Sequence, residues 1–389
     1  MIQIYTSKME FETNLLFFML RGKLNRGNML IDIAIASPPF KVEQGFAASE
    51  LKKRMGGTSA ISRMIDMAAN QSGIDHRYFV IQDGEEKSTE KFFTKDENYF
   101  SPDTKIRMTE YEKWSILLTK QAVKELAEKN NIDFGAIDRI ITISCTGFFA
   151  PGLDYELIKE FNISPSVKRT NIGFMGCAAS LVGVNSVWEA MKQQGNKNIL
   201  MVSVELCSLH LQTEPTRDNI LANMIFADGA AAAYFSKTNK SNENKLEIQF
   251  AESFLFEDSA KFMGWKIGNN GFEMMLSSEL PKIILNSAAP RAKEILAQKG
   301  IDISQIKHWA LHPGGRAILD SLQNGLALSD EQLKPSREVL RNFGNLSSVS
   351  ILYVLKNILN TVLLKKDDYL CAIAFGPGLT MELVVFKVV

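Results

Sequence analysis

IDFGAIDRIITISCTG (residues 132–147) and IDISQIKHWALHPG (residues 301–314) decide the fold, because the second repeats the pattern of the first. Ile132 and Ile137 are five residues apart, as are Ile301 and Ile306. Each stretch follows a helical pattern, carried by Lys124-Glu125-Leu126 in one case and Lys293-Glu294-Ile295 in the other. Each runs as a strand to a polar end, Cys145-Thr146-Gly147 or His312-Pro313-Gly314. Outward from there the match continues. Cys177 lies 40 residues after Ile137 and Asn345 lies 39 after Ile306; Gly176-Cys177 and Gly344-Asn345 each open an apolar helix, from Ala178 and Leu346. Both halves close with a glycine turn into a strand, Ala227-Asp228-Gly229 into Ala230–Phe235 and Gly376-Pro377-Gly378 into Leu379–Val389. Several agreeing spacings mark an internal duplication.

Alternating helix and strand periodicities around these anchors predict an α/β fold with a sheet covered by helices. The pattern places a first strand at Leu30–Ile35, strands at Arg139–Ser144 and Asn198–Val204, and a helix over Ala178–Gln194. The polar run Ser236–Lys245 divides residues 29–240 from 241–389, and residues 1–28 read as an added arm or an upstream start. LLFFML (Leu15–Leu20) is far short of the roughly 20 residues that span a bilayer. Composition narrows the function. The chain has 389 residues, 46% of them hydrophobic, which is enough to bury a core and excludes wholesale disorder. Lys+Arg and Asp+Glu both total 44, so no basic excess marks a nucleic-acid or anionic-membrane surface. Four cysteines without a CxxC pair form neither a disulfide framework nor a zinc site, and point to a reducing cytoplasm.

Two stacked halves bring helix starts and strand ends to one centre, and the chemical residues at those places are Cys177, His312 and Asn345. A cysteine at a helix start has its thiolate favoured by unpaired backbone N–H groups. A nearby imidazole completes a nucleophile pair. An uncharged amide suits an anionic oxygen that a carboxylate would repel. Together they describe thioester capture and stabilisation of an enolate. Singly each has a plainer reading: a packed small hydrophobe, a structural histidine, a helix cap.

Gly-Cys at 176–177, His-Pro-Gly-Gly at 312–315, Gly-Asn-Leu-Ser-Ser at 344–348 and Gly-Pro-Gly-Leu-Thr at 376–380 resemble the type III polyketide synthases, the chalcone-synthase-like enzymes. Cys-Thr-Gly at 145–147, Pro-Gly-Leu-Asp at 151–154 and Phe-Ala-Asp-Gly-Ala-Ala at 226–231 fit the same pattern, and the resemblance runs from about residue 30 to 389. It implies the thiolase fold, a duplicated five-layer αβαβα arrangement, in a homodimer. It also implies an acyltransferase that loads an acyl-CoA starter and extends it with malonyl-CoA, with these CoA thioesters as substrates and no cofactor or metal. On this resemblance Cys177 carries the acyl group, His312 and Asn345 hold the malonyl thioester during decarboxylation, and Phe226 and Phe272 form an aromatic gate. Cys145, Thr146, His210, Ser347 and Gly376-Pro377-Gly378 would line the substrate cavity, with Ser347 behind the cysteine, and a pyrone or resorcinol-type product would follow.

This chain departs from the plant enzymes in three places. Where they carry CoA-binding lysines and an arginine it has Met64, Met67 and Gln71, which leaves Arg63, Arg77 and Ala317 as the expected CoA contacts. Ala150 replaces a methionine that enters the partner's cavity, which predicts a tunnel for a medium- or long-chain fatty acyl starter. His210 replaces a threonine. The competing readings are a sister condensing enzyme such as β-ketoacyl-carrier-protein synthase III or hydroxymethylglutaryl-CoA synthase, a Cys-His-Asn hydrolase, and a non-catalytic scaffold.

Overall fold

A computed structural model describes residues 29–56, 58–81, 92–95, 98–193, 197–237 and 245–389. The expected N-terminal arm and most of the expected boundary run at 236–245 lie outside them. Besides four short strands in two small pairs, the described residues hold β1 (Met29–Ala36), β2 (Arg139–Ser144), β3 (Lys168–Gly173), β4 (Asn198–Leu206), β5 (Asp228–Ser236), β6 (Leu246–Leu255), β7 (Met263–Gly268), β8 (Gly271–Leu276), β9 (Ile306–Leu311), β10 (Tyr369–Gly376) and β11 (Thr380–Val388). All but the β7–β8 hairpin join one sheet, ordered β9-β10-β11-β6-β1-β5-β4-β2-β3.

That order contains the duplication. In the first half β2 is parallel to β4, which is antiparallel to β5, which is antiparallel to β1. In the second, β9 is parallel to β10, which is antiparallel to β11, which is antiparallel to β6. The halves meet where β1 pairs with β6, through only Met29↔Glu247 and Leu30↔Leu246, and then part. The hydrogen-bonded ladder is therefore continuous although the halves form two layers.

The helices are α1 (Gln44–Arg54), α2 (Ser59–Gln71), α3 (Thr104–Asn130), α4 (Leu153–Glu160), α5 (Ala179–Lys192), α6 (Arg217–Ile225), α7 (Ala289–Gln298), α8 (Arg316–Leu326), α9 (Asp330–Phe343) and α10 (Ser350–Thr361). Sequence patterning decides which lie inside. α10 buries every residue from Ser350 to Lys356, and α5 buries residues all round, as a helix between two sheets must. Leu181, Val184 and Val187 of α5 and Ile351, Leu352 and Leu355 of α10 share one central core with strands of both halves. α3 covers the outer face of the first half through Leu118, Ala122 and Leu126. α7, α8 and α9 cover the second through Ile295, Leu319 and Leu340. Three cores between five layers make this the duplicated α/β thiolase fold. Strand β4 is buried from Ile199 to Leu206, the signature of a strand covered on both faces.

An ion pair crosses the halves inside this apolar frame. Lys356 Nζ of α10 lies 2.7 Å from Asp32 Oδ1 of β1, with side chains 10% and 19% exposed. Burial alone would raise the Asp32 carboxyl, but Lys356, Asn130 and the Ile33 amide outweigh it and hold it below the usual range. Lys356→Ala therefore leaves a nearly buried carboxylate without its cation and should cost about 1–3 kcal/mol of unfolding free energy in urea titration at neutral pH. A carboxyl held low in the folded state contributes stability that is present above the unfolded value and disappears as pH falls through the folded one. The gap between wild type and variant should accordingly shrink below about pH 4.

Candidate active site

The nucleophile candidate is set by a tight turn. Gly176–Ala178 forms a single 3₁₀ turn that runs into α5, with Cys177 at its centre and buried. Gly176 has φ +61°, and a Cβ there would collide with the ring of Pro377. Only glycine meets both demands, so the Gly376-Pro377-Gly378 turn after β10 presses directly on the turn that carries the cysteine. The duplicate helix α10 starts the same way, with a 3₁₀ turn at Ser347–Val349.

Asn345 precedes that second turn. Its Oδ1 accepts from the Ser347 amide at 2.8 Å and its Nδ2 donates to the Gly314 carbonyl at 3.3 Å. It caps and is also positioned, since it lines the same cavity as Cys177 and His312. That cavity, about 350 Å³, also reaches Phe226 and Ala317. Ser347, held at φ +50°, places its Oγ 3.7 Å from Cys177 Sγ, behind the cysteine as expected. His312 follows β9, its amide fixed to the Ile373 carbonyl at 2.9 Å. It is 2% exposed, and neither ring nitrogen has a hydrogen-bond partner among the described residues. A buried imidazole with both nitrogens open is costly unless a ligand uses it.

The electrostatics differ from the sequence expectation of a thiolate–imidazolium pair. Burial pushes the Cys177 thiol up to about 12, against the pull of Ser347, Asn345 and its own amide, and burial drops His312 to about 3. Burial thus favours the neutral form of both groups. The helix-start amide acts in the expected direction, but desolvation is larger. Glu205, which sequence reasoning did not select, adds to the same effect: it is fully buried and raises the thiol further. It accepts hydrogen bonds from the Cys145 amide at 3.0 Å, from Thr146 Oγ1 at 2.8 Å and from Ser348 Oγ, and burial lifts it to about 7. One glutamate inside the apolar strand Ile199–Leu206 was the available signal.

A smaller cavity of about 50 Å³ lies deeper, lined by Cys145, Thr146, Cys177, His210, Phe272, Ser347 and Pro377 among others. His210 is a wall. Its Nε2 donates to the Thr146 carbonyl at 2.7 Å, its Nδ1 accepts from the Phe272 amide at 3.0 Å, and its ring stacks on Phe272 at 4.2 Å. With both nitrogens satisfied and burial holding its pKa near 3, it is neutral and has no free proton function. Arg107, also missed, supports it by donating to the carbonyls of Leu209 (2.6 Å) and Leu211 (3.1 Å). A lone arginine on a long amphipathic helix gives no such hint.

The expected gate divides. Phe226 is half-buried and touches the catalytic cavity, the deeper one and a third of about 80 Å³. Phe272 lines only the deeper one, because its stack on His210 holds it there. The expected CoA residues also divide. Ala317 lines the catalytic cavity. Arg63 is exposed on α2 and lines none of these cavities. Arg77 is corrected: it is 1% exposed, and its Nη1 donates to the carbonyls of Asn223 (2.8 Å) and Phe226 (2.6 Å), so it braces the gate from within and cannot meet a phosphate at the surface. Ala150 is exposed and lines none of the three cavities.

Two outcomes test this geometry. Gly176→Ala should displace Cys177 against Pro377 and slow its alkylation by iodoacetamide about 10–100-fold while the thermal transition persists. His312→Ala tests whether a substrate-independent proton acceptor matters. An imidazole that takes the thiol proton lowers the cysteine's apparent pKa, and burial alone leaves it high. With burial favouring the neutral form of both groups, removing the ring should leave the substrate-free alkylation–pH profile within about half a unit of wild type, and an upward shift of about one unit or more would reveal a thiolate–imidazolium pair formed without substrate.

Comparison with known proteins converges with this geometry. Residues 247–389 match the C-terminal domain of chalcone and stilbene synthases, and residues 88–251 match the FAE1/type III polyketide synthase-like family. An "alpha-pyrone synthesis polyketide synthase-like" protein of Mycobacterium tuberculosis is 32% identical over 257 residues, covering 65% of this chain and 65% of the relative's own length. A chalcone synthase-like protein of Bacillus subtilis is 30% identical over 262 residues, 66% of this chain and 72% of the relative. The crystal structure of PKS-I from the brown alga Ectocarpus siliculosus superposes with a TM-score of 0.87 at 29% identity, over 93% of this chain and 98% of that one. With duplicated layers, a buried Cys-His-Asn cavity and these likenesses together, the chain belongs to the type III polyketide synthase family of chalcone- and stilbene-synthase-like proteins.

Proposed function

We propose that the protein loads an acyl-CoA starter on Cys177, extends it by decarboxylative condensation with malonyl-CoA and releases a pyrone or resorcinol-type product. The observation that carries this reading is one cavity lined together by a buried cysteine, an imidazole with both nitrogens open and a positioned amide. Cys177 gives its proton to His312 and its sulfur attacks the starter carbonyl; the CoA thiolate leaves with that proton. His312 and the free Nδ2–H of Asn345 then hold the malonyl thioester oxygen as CO₂ departs, so the enolate forms against donors already in place. The enolate carbon attacks the Cys177 thioester, the sulfur is released, and the chain is longer by two carbons on CoA. The reaction needs no cofactor beyond the CoA thioesters.

Size supports the substrate class. The space next to Cys177 is narrow, and the adjoining cavity past Leu211, Ala222 and Phe226 has an apolar wall of Val42, Phe46, Leu51 and Phe79 beside Glu50, Arg54 and Arg77. An aliphatic starter fits there, where each buried CH₂ contributes about 0.8 kcal/mol. Phe148 (42% exposed) and Met175 (39%) flank Phe174 on one face, which suits the proposed homodimer.

The test is release of labelled CO₂ and product mass from malonyl-CoA with acyl-CoA starters of about six and about twelve carbons. Wild type should form condensed products and prefer the longer starter, whereas Cys177→Ala should form none. Polyketide made by the alanine variant at the wild-type rate would overturn the assignment of Cys177. Free acid without CO₂ would indicate a hydrolase.

A further inference from the structure

The catalytic cavity opens between two arginines that no sequence motif marks. Arg217 is the first residue of α6 and Arg316 the first of α8, so one comes from each half of the chain. Both are exposed, both line the cavity that holds Cys177, His312 and Asn345, and neither has an ion-pair partner among the described residues. No carboxylate lines that cavity among the described residues. Asp218, beside Arg217, accepts from the Leu276 amide at 3.2 Å. α8 begins at Gly315 with no side-chain cap and no acidic residue in its first turn, so its leading amides add to the positive end. Arg316 packs on Gly73, just beyond α2, with their nearest approach at 3.6 Å from a Gly73 Cβ position. It therefore stands beside the helix face where Met67 and Gln71 supply no charge.

We propose that Arg217 and Arg316 hold the phosphates of the CoA thioester at the cavity mouth, in place of cations on α2. This rests on the functional reading above and adds the residues that recognise the carrier. The inner end of the cavity is neutral, with His312 and Asn345 aimed at a thioester. The outer end is cationic and unpartnered. A substrate with an uncharged thin arm and a terminal polyphosphate matches both ends, and guanidinium groups match phosphate oxygens two at a time.

The experiment measures binding of CoA and of pantetheine, which lacks the phosphates, to wild type, Arg217→Gln/Arg316→Gln and Arg217→Lys/Arg316→Lys by titration calorimetry. Steady-state kcat/KM for malonyl-CoA and malonyl-N-acetylcysteamine thioester is measured in parallel. The glutamine variant should bind CoA about tenfold or more weakly, and its preference for malonyl-CoA over the phosphate-free thioester should fall by a similar factor. Lysines should restore much of both. The wild-type CoA affinity should fall with added salt more steeply than the glutamine variant's. Equal CoA affinity in wild type and glutamine variant overturns the arginine assignment alone. Equal loss of both thioesters, with no change in preference, overturns it as well. Failure of wild type to bind CoA at all overturns the functional reading together with it.

Discussion

The main chain of Asn345 is hydrogen-bonded on both sides to the segment Ile225–Ala227: its amide donates to the Ile225 carbonyl at 2.8 Å, and its carbonyl accepts from the Ala227 amide at 2.9 Å. This short bridge joins the two halves at the point where they must cooperate. It fixes the gate, Phe226, beside the amide that faces the substrate. Arg77 ties the same bridge from behind through the Phe226 carbonyl, and Gly344 lets it come so near that a Cβ would lie 2.8 Å from the arginine side chain. Asn345 in turn fixes Ser347, and Ser347 sits behind Cys177. The gate, the amide, the hydroxyl and the sulfur form one hydrogen-bonded chain of positions, and a shift at any of them moves the others.

Burial imposes the second constraint. A dry cavity strengthens every dipole aimed at a developing enolate, but it also penalises the thiolate that must start the reaction. The resting site resolves this by staying neutral: the thiol is raised, the imidazole lowered, and Glu205 shares a buried network with Thr146 and Ser348. In the proposed reaction, charge separation between Cys177 and His312 would be drawn forward by the thioester carbonyl that the sulfur attacks. Neutrality at rest also protects a thiol that would otherwise be alkylated or oxidised.

Much of this was legible in the sequence, for identifiable reasons. The duplication follows from spacings that survive because each half must repeat the same strand order, and β2 spans the predicted Arg139–Ser144. The meeting of Cys177, His312 and Asn345 at one cavity follows from that repeat, since strand ends and helix starts converge in a layered α/β fold. Burial was harder to read. Arg77 looks like a surface cation beside Tyr78, yet it is enclosed because Gly344 and the carbonyls of residues 223 and 226 surround it. His210 is expected to line the cavity and does, but the two backbone partners that hold it there as a wall are not visible in the local sequence. In both cases the side chain is defined by main-chain groups more than a hundred or sixty residues away, which no local pattern encodes.

The same distinction bears on how specificity divides within the site. Groups that act on the thioester are fixed by backbone and by glycines, so their placement tolerates little change. The walls that meet the starter are ordinary side chains: Leu211 and Ala222 near the gate, Val42, Phe46 and Phe79 beyond it. Such a wall can be reshaped by single substitutions without disturbing the bridge at Asn345, because apolar volume is adjustable where hydrogen-bond geometry is not. In the proposed reaction, chain-length preference and condensation chemistry would be carried by separable parts of these cavities, and Phe226, which borders all three, is where a change in one would be felt by the other.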